Sequence, residues 1–163
     1  YVEYCGMSDD EADTAIMRYR ERYVDIGLYE SQLYPGIASL LKALHEAGAY
    51  VGIASAKPQF MLERLAAYYE IDRWLDTIAG VGLDRHSADK RDLILRAMPQ
   101  DMDVGKACMV GDRKFEIEAA CALGLGAIGA NYGYALPGEL IQAGADIVFD
   151  SVEELARYLL SDA

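Results

Sequence analysis

From Ile37 onward, short apolar runs alternate with stretches of helical periodicity, and this constrains the fold more than any other feature of the chain. Ile37, Leu40, Leu41, Leu44 and Ala47 form one helical face, closed by Gly48. Tyr50 to Ala54 is a short strand, and Pro58 suits the first turn of the helix whose face is Met61, Leu62, Leu65, Ala66 and Tyr69. A further apolar segment ends near Gly80, and a helix from about Asp89 to Met98 follows, with Ser87 as a candidate cap. Ala107 to Val110 is the next strand, and its helix ends at Gly124. Then come a strand at Ala127–Ala130, a short helix from Pro137 to near Gly144, a strand at Asp146–Phe149, and a last helix opened by a capping box at Ser151 and Glu154. The order is helix and strand in strict alternation. It predicts an α/β fold, a Rossmann-like parallel sheet with helices on both faces.

The chain before Pro35-Gly36 reads differently. Ser8 to Glu11 is a capping box, so a helix is expected from about Asp9, with Ala12, Ala15, Ile16, Tyr19 and Tyr23 on one face and Gly27 as its stop. We therefore expect a separate helical segment over residues 1–33 and the α/β unit over residues 34–163.

Composition narrows the function. The formal charge is −12 and no basic stretch is present, which argues against nucleic acid as a partner. No apolar run is long enough for a bilayer helix, so no membrane partner is expected. Cys5, Cys108 and Cys121 lack metal-ligand spacing. Cys108 falls on a strand and Cys121 on a helix, so both are expected to be core thiols, and a reducing cytoplasm is the expected location.

The stretch ACMVGDRKFEIEAA, Ala107 to Ala120, ends a strand in Gly111-Asp112 and begins a helix, with Glu116 four residues after Asp112. Read alone, it is either a ligand-holding strand end or a solvated turn with an acidic first helical turn. Ser55 follows another strand, and Lys90 sits in the first turn of a helix. Right-handed crossovers bring all three to one edge of a parallel sheet. A hydroxyl, an ammonium and a carboxylate converging there suit phosphate chemistry. The hydroxyl donates to a phosphoryl oxygen, the lysine offsets anionic charge, and the carboxylate suits Mg²⁺. By contrast, Gly124-Leu125-Gly126-Ala127-Ile128-Gly129 matches a dinucleotide fingerprint in letters only, because it closes a helix and runs into a strand. His45 reads as a surface histidine, and His86 as a loop residue near the same edge.

These motifs, in this order and spacing, resemble the haloacid dehalogenase-like hydrolases, in particular the branch of phosphoglycolate phosphatases and nucleotidases. IASAKP resembles the second motif, with Ser55 as the phosphate-binding hydroxyl, and SADKRDLI the third, with Lys90 as the charge-stabilising lysine. MVGDRKFEIEAA resembles the fourth, with Asp112 as a magnesium ligand. ANYGYALPGEL resembles the loop after the next strand, and YPGIASLLKAL the return from cap to core. The resemblance implies catalytic roles for Ser55 and Lys90, phosphate or substrate contacts at Ala56, Lys57 and Asn131, and a metal site at Asp112 with support from Glu116. It implies a Mg²⁺-dependent phosphomonoester hydrolase working through an aspartyl-phosphate, with a small phosphorylated metabolite as partner. It also makes residues 1–33 the remnant of a helical cap.

Two departures matter. Glu116 stands where the family usually has aspartate. The family's first motif, D-x-D after the first strand, has no counterpart: Asp9-Asp10 opens a helix and Asp101-Met102-Asp103 lies in a loop. The missing strand is central in the family, between the strand ending at Ala54 and the one ending at Val110, so the chain is expected to be an inactive amino-terminal truncation. The rival readings are a pseudo-enzyme or interaction module on the same fold, a phospho-receiver domain, and a haloacid dehalogenase that needs little Mg²⁺. An apolar strand ending in D-x-D upstream of Tyr1 would favour the enzyme over the pseudo-enzyme.

Overall fold

The computed structural model describes residues 5–82 and 89–161, so the expectations at His86 and Ser87 lie outside the described residues. The chain divides into two compact units, Tyr1–Gln32 and Leu33–Ala163.

In the first unit, helix α1 runs over Asp9–Tyr23. Ser8 caps it as the sequence predicts: its hydroxyl accepts from the Glu11 amide, and Glu11 Oε2 accepts from the Ser8 amide at 2.8 Å. Both donors would otherwise be orphaned at the helix start. The expected apolar face is only thinly covered, with Ala12 buried and Tyr19 exposed, though Tyr19 stacks on Tyr23 at 4.8 Å. The helix ends before Gly27, which begins a 3₁₀ turn at Gly27–Glu30.

The second unit alternates as expected: α2 (Ile37–Glu46), β1 (Gly52–Pro58), α3 (Gln59–Tyr68), β2 (Thr77–Val81), α4 (Lys90–Ala97), β3 (Cys108–Gly111), α5 (Lys114–Leu123), β4 (Gly126–Ala130), α6 (Glu139–Gln142), β5 (Ile147–Phe149) and α7 (Val152–Ser161). All strand pairs are parallel. Helices cover both faces. Ala127 of β4 packs with Ile94, Ile117, Ala120 and Leu140 on one side, while its neighbour Ile128 packs with Leu40, Val152 and Leu155 on the other. That switch between adjacent residues is the period of two of a strand covered on both faces.

The strands do not make one sheet. β1 and β2 form a two-stranded sheet, and β3, β4 and β5 a three-stranded sheet in that order. Among the described residues no ladder joins β1 to β3, so the interruption falls where the sequence reading put the missing strand. It explains why β3, an apolar run, is incompletely buried. It also overturns the expectation of a core thiol at Cys108, which lies exposed at the start of this edge strand. Cys121 is exposed as well, on the outward side of α5, where its Sγ faces the Gly144 carbonyl at 3.4 Å.

Two boundaries move and one cap differs. β1 runs on through Ser55 to Pro58, so Pro58 caps α3 with extended backbone and does not occupy its first turn. α6 starts at Glu139, after a left-handed Gly138, and not at Pro137. In α7 the hydroxyl of Ser151 accepts from the Glu154 amide, but the Glu154 carboxylate reaches back to the Asp150 amide. Gly124 closes α5 in the left-handed region before β4, the placement that excluded a dinucleotide site.

Candidate active site

Lys90 is the residue that ties the two sheets together. It is the first residue of α4, capped by Asp89, whose carboxylate accepts from the Arg91 amide. Its Nζ lies 2.7 Å from Glu116 Oε1 and donates to the Ala54 carbonyl at 3.4 Å. Ala54 belongs to β1 and is followed by Ser55, while Glu116 lies in the first turn of α5, just after β3. One ammonium thus bridges the carboxyl ends of strands from different sheets. The pair is largely withdrawn from water, with 17% and 15% of the two side chains exposed.

Glu116 sits close against the strand end because Gly111 lets it. A Cβ at Gly111 would stand 2.2 Å from the Glu116 Cβ. The second Glu116 oxygen, Oε2, is buried and has no hydrogen-bond partner among the described residues. A buried carboxylate oxygen with nothing donating to it is costly, and it has capacity left for a cation or a water.

Asp112 is held from the opposite side. Its Oδ2 accepts from the Tyr134 amide at 3.1 Å, from the loop after β4. That loop approaches so closely that a Cβ at Gly133 would lie 2.4 Å from the Asp112 Cβ. We expect Gly133→Ala to destabilise the protein by about 1–3 kcal/mol, as overpacking does, because no flexible side-chain end is available to yield. Urea unfolding measures this; an unchanged midpoint would contradict the close approach.

Sequence reasoning missed Glu139. This carboxylate, 9% exposed, accepts from Arg113 Nε at 2.8 Å and the Lys114 amide at 2.9 Å through Oε1, and from the Leu136 amide at 3.0 Å through Oε2. The amide donors and the Arg113 guanidinium hold its carboxyl at about 2, well below the usual range. Two of its partners, Arg113 and Lys114, lie about a sixth of the chain away and two of the three are backbone amides, so only the local reach back to the Leu136 amide could have marked the position.

The remaining predicted positions are placed as follows. Ser55 is half-buried within β1, where the pairing with β2 becomes irregular, and its hydroxyl accepts from the Lys57 amide at 3.2 Å, a local bond. Ala56 is exposed beside it. Asn131 follows β4 and donates from its side chain to Asp150 Oδ1 at 2.6 Å, away from Lys90's partners. The structure therefore gathers Ala54-Ser55, Lys90 and Glu116 around one ammonium. It places Asp112 one residue beyond Gly111, against Gly133 and Tyr134. Among the described residues, no group of three His, Cys, Asp or Glu side chains gathers as a complete metal site. Asp112 is a carboxylate of the kind Mg²⁺ takes alongside water and phosphate, and among the described residues Glu116 Oε2 is an acceptor without a partner.

Comparison with known proteins identifies the family. The sequence matches the haloacid dehalogenase-like hydrolase family over residues 1–130. The chain belongs to that family. It is 31% identical to a 5'-nucleotidase of Pseudomonas aeruginosa over 141 residues, which cover 86% of this chain and 64% of the nucleotidase. It is 28% identical to a plasmid-encoded phosphoglycolate phosphatase of Cupriavidus necator, covering 91% of this chain and 65% of that protein. The crystal structure of a "predicted phosphatase" from Clostridium acetobutylicum superposes with a TM-score of 0.90 at 31% identity, covering 98% of this chain and 74% of the other. The chain thus spans about two thirds or less of the length of these curated relatives. Among the described residues no helix is long and apolar enough to cross a membrane.

Proposed function

We propose that this chain is the greater part of the core of a Mg²⁺-dependent phosphomonoester hydrolase whose nucleophile comes from sequence outside these 163 residues. The observation that carries the reading is Lys90, which reaches both Ala54, next to Ser55, and Glu116, next to the Asp112 turn. A cation at that point faces the carboxyl ends of both sheets, where a phosphate would meet the Ser55 hydroxyl, the Lys90 ammonium and a metal held by Asp112. Family membership and relatives named nucleotidase and phosphoglycolate phosphatase support the same reading.

In this proposal the interruption between β1 and β3 takes a parallel strand ending in two aspartates. The first aspartate attacks phosphorus, and the alcohol leaves with a proton from the second. Water, deprotonated by that second aspartate, then attacks phosphorus and frees the first carboxylate. Ser55 Oγ orients a phosphoryl oxygen, with Ala56 and Lys57 extending the contact and Asn131 at the margin. Lys90 stabilises the negative charge that builds on the transferring group. Glu116 holds Lys90 in place. Asp112 would hold Mg²⁺ in part, and the metal would supply neutralisation of the phosphate's negative charge. Residues 1–33 are proposed as the remnant of a helical cap, and the substrate as a small phosphorylated metabolite such as phosphoglycolate or a nucleotide.

The test is a panel of phosphomonoesters offered to the full-length protein with and without Mg²⁺, beside the isolated chain. We expect turnover only from the full-length protein and only with the metal. Enzymatic turnover by the isolated chain would place the nucleophile within it and overturn the reading.

A further inference from the structure

We infer that Glu139 is a positioning residue for Asp112, fixing the direction in which that carboxylate faces a metal. The inference rests on the Mg²⁺ reading above for its consequence, and on the hydrogen-bond geometry for its cause. Among the described residues, Glu139 bonds Arg113, Lys114 and Leu136 and not Asp112 itself. It holds the chain on both sides of Asp112's attachments instead. Its Oε1 takes the side chain of Arg113 and the backbone amide of Lys114, the two residues directly after Asp112. Its Oε2 takes the Leu136 amide, two residues after the Tyr134 amide that donates to Asp112 Oδ2.

The result is a closed ring. It runs from Asp112 through Arg113 and Lys114 to Glu139, back through Leu136 and Tyr134, and returns to Asp112. Every link is a hydrogen bond or a short covalent stretch. Gly133 lies inside this ring against the Asp112 Cβ, so the loop can close only at this distance. Rotation of the Asp112 carboxylate gives up the bond from the Tyr134 amide, which cannot readily follow because it is anchored through Leu136 to Glu139. Such outer partners typically govern metal affinity by tenfold to a hundredfold.

Arg113 adds a directional element. Its guanidinium pairs with Glu139 and also lies 5.8 Å from the Phe115 ring centroid, which keeps the cation beside the turn. Glutamine at 139 keeps one acceptor for Arg113 and Lys114, but its amide nitrogen cannot accept from Leu136. Alanine removes all three links. The series Glu, Gln, Ala should therefore loosen the ring in steps.

The experiment compares wild type, Glu139→Gln, Glu139→Ala and Glu154→Ala in the full-length protein. Glu154 bonds the Asp150 amide at 3.1 Å in the analogous way at another helix start, and it serves as the control for simple loss of such a bond. Two quantities are read: hydrogen exchange at the Tyr134 amide without metal, and Mg²⁺ affinity by calorimetry. We expect faster Tyr134 exchange in Glu139→Gln and faster still in Glu139→Ala. The Mg²⁺ dissociation constant should rise by about tenfold to a hundredfold in Glu139→Ala. Glu154→Ala should change neither. Unchanged Tyr134 exchange in Glu139→Ala overturns the positioning role, as does altered exchange with unchanged Mg²⁺ affinity. If wild type binds no Mg²⁺ while Tyr134 exchange still responds, the metal reading fails and the positioning of Asp112 stands.

Discussion

Replacing Lys90 with methionine should cost about 3 kcal/mol of stability, toward the lower end for breaking a buried ion pair. The reason lies in what is left behind. Methionine keeps the unbranched apolar stem of the lysine and most of its length, so little of the cost is a cavity. It strands the Glu116 carboxylate, whose Oε1 loses its partner while Oε2 already has none. The Ala54 carbonyl loses its contact as well. The double variant Lys90→Met with Glu116→Gln should recover most of the loss, because it removes the uncompensated charge together with its partner. Urea unfolding of the single and double variants makes the comparison. If the single variant unfolds at the wild-type midpoint, the pair is not holding the two sheets in register. In the full-length protein the single variant should also lose about 10²–10³ in kcat, the usual cost of removing a group aimed at developing charge. The double variant should regain stability and not activity, which separates the two roles of the same ammonium.

The legibility of this chain follows from the range of its interactions. The alternation of α2 through α7 was readable because strand and helix periods are local properties of the sequence. The capping box at Ser8 was readable because both partners lie within three residues. The errors came where the tertiary setting decides. Cys108 looked like a core thiol because an apolar run ending in Gly111-Asp112 reads as a strand with neighbours on both sides, whereas among the described residues β3 is paired with β4 alone. Cys121 sits on α5, whose apolar positions do not reveal which flank meets the 144 turn. Gly111 and Gly133 show no such role in the sequence, yet each matters because an acidic side chain stands against the place its Cβ would take. Glu139 carried only the weak local signal of an acidic residue three positions after the Leu136 amide. A carboxylate that accepts from backbone amides leaves no mark on the partner's residue type, and its partner Arg113 is 26 residues away.

Asp112→Asn in the full-length enzyme should leave the fold nearly intact and remove Mg²⁺-dependent turnover by more than about 100-fold, since loss of a direct ligand exceeds the usual cost of losing its supporting partners. The substitution is nearly isosteric. An asparagine oxygen can still accept from the Tyr134 amide, and the tight fit against Gly133 is unchanged. What disappears is the negative charge, and with it the hard anionic donor that Mg²⁺ prefers to a neutral amide. The expected pattern is therefore an unfolding midpoint close to wild type, Tyr134 exchange little altered, and activity lost at every Mg²⁺ concentration tested. This differs from Glu139→Ala, where raised Mg²⁺ should restore turnover because the ligand remains and only its orientation is loosened. Full Mg²⁺-dependent activity in Asp112→Asn would remove Asp112 from the metal site and leave Glu116, with its unpartnered oxygen, as the carboxylate to test next.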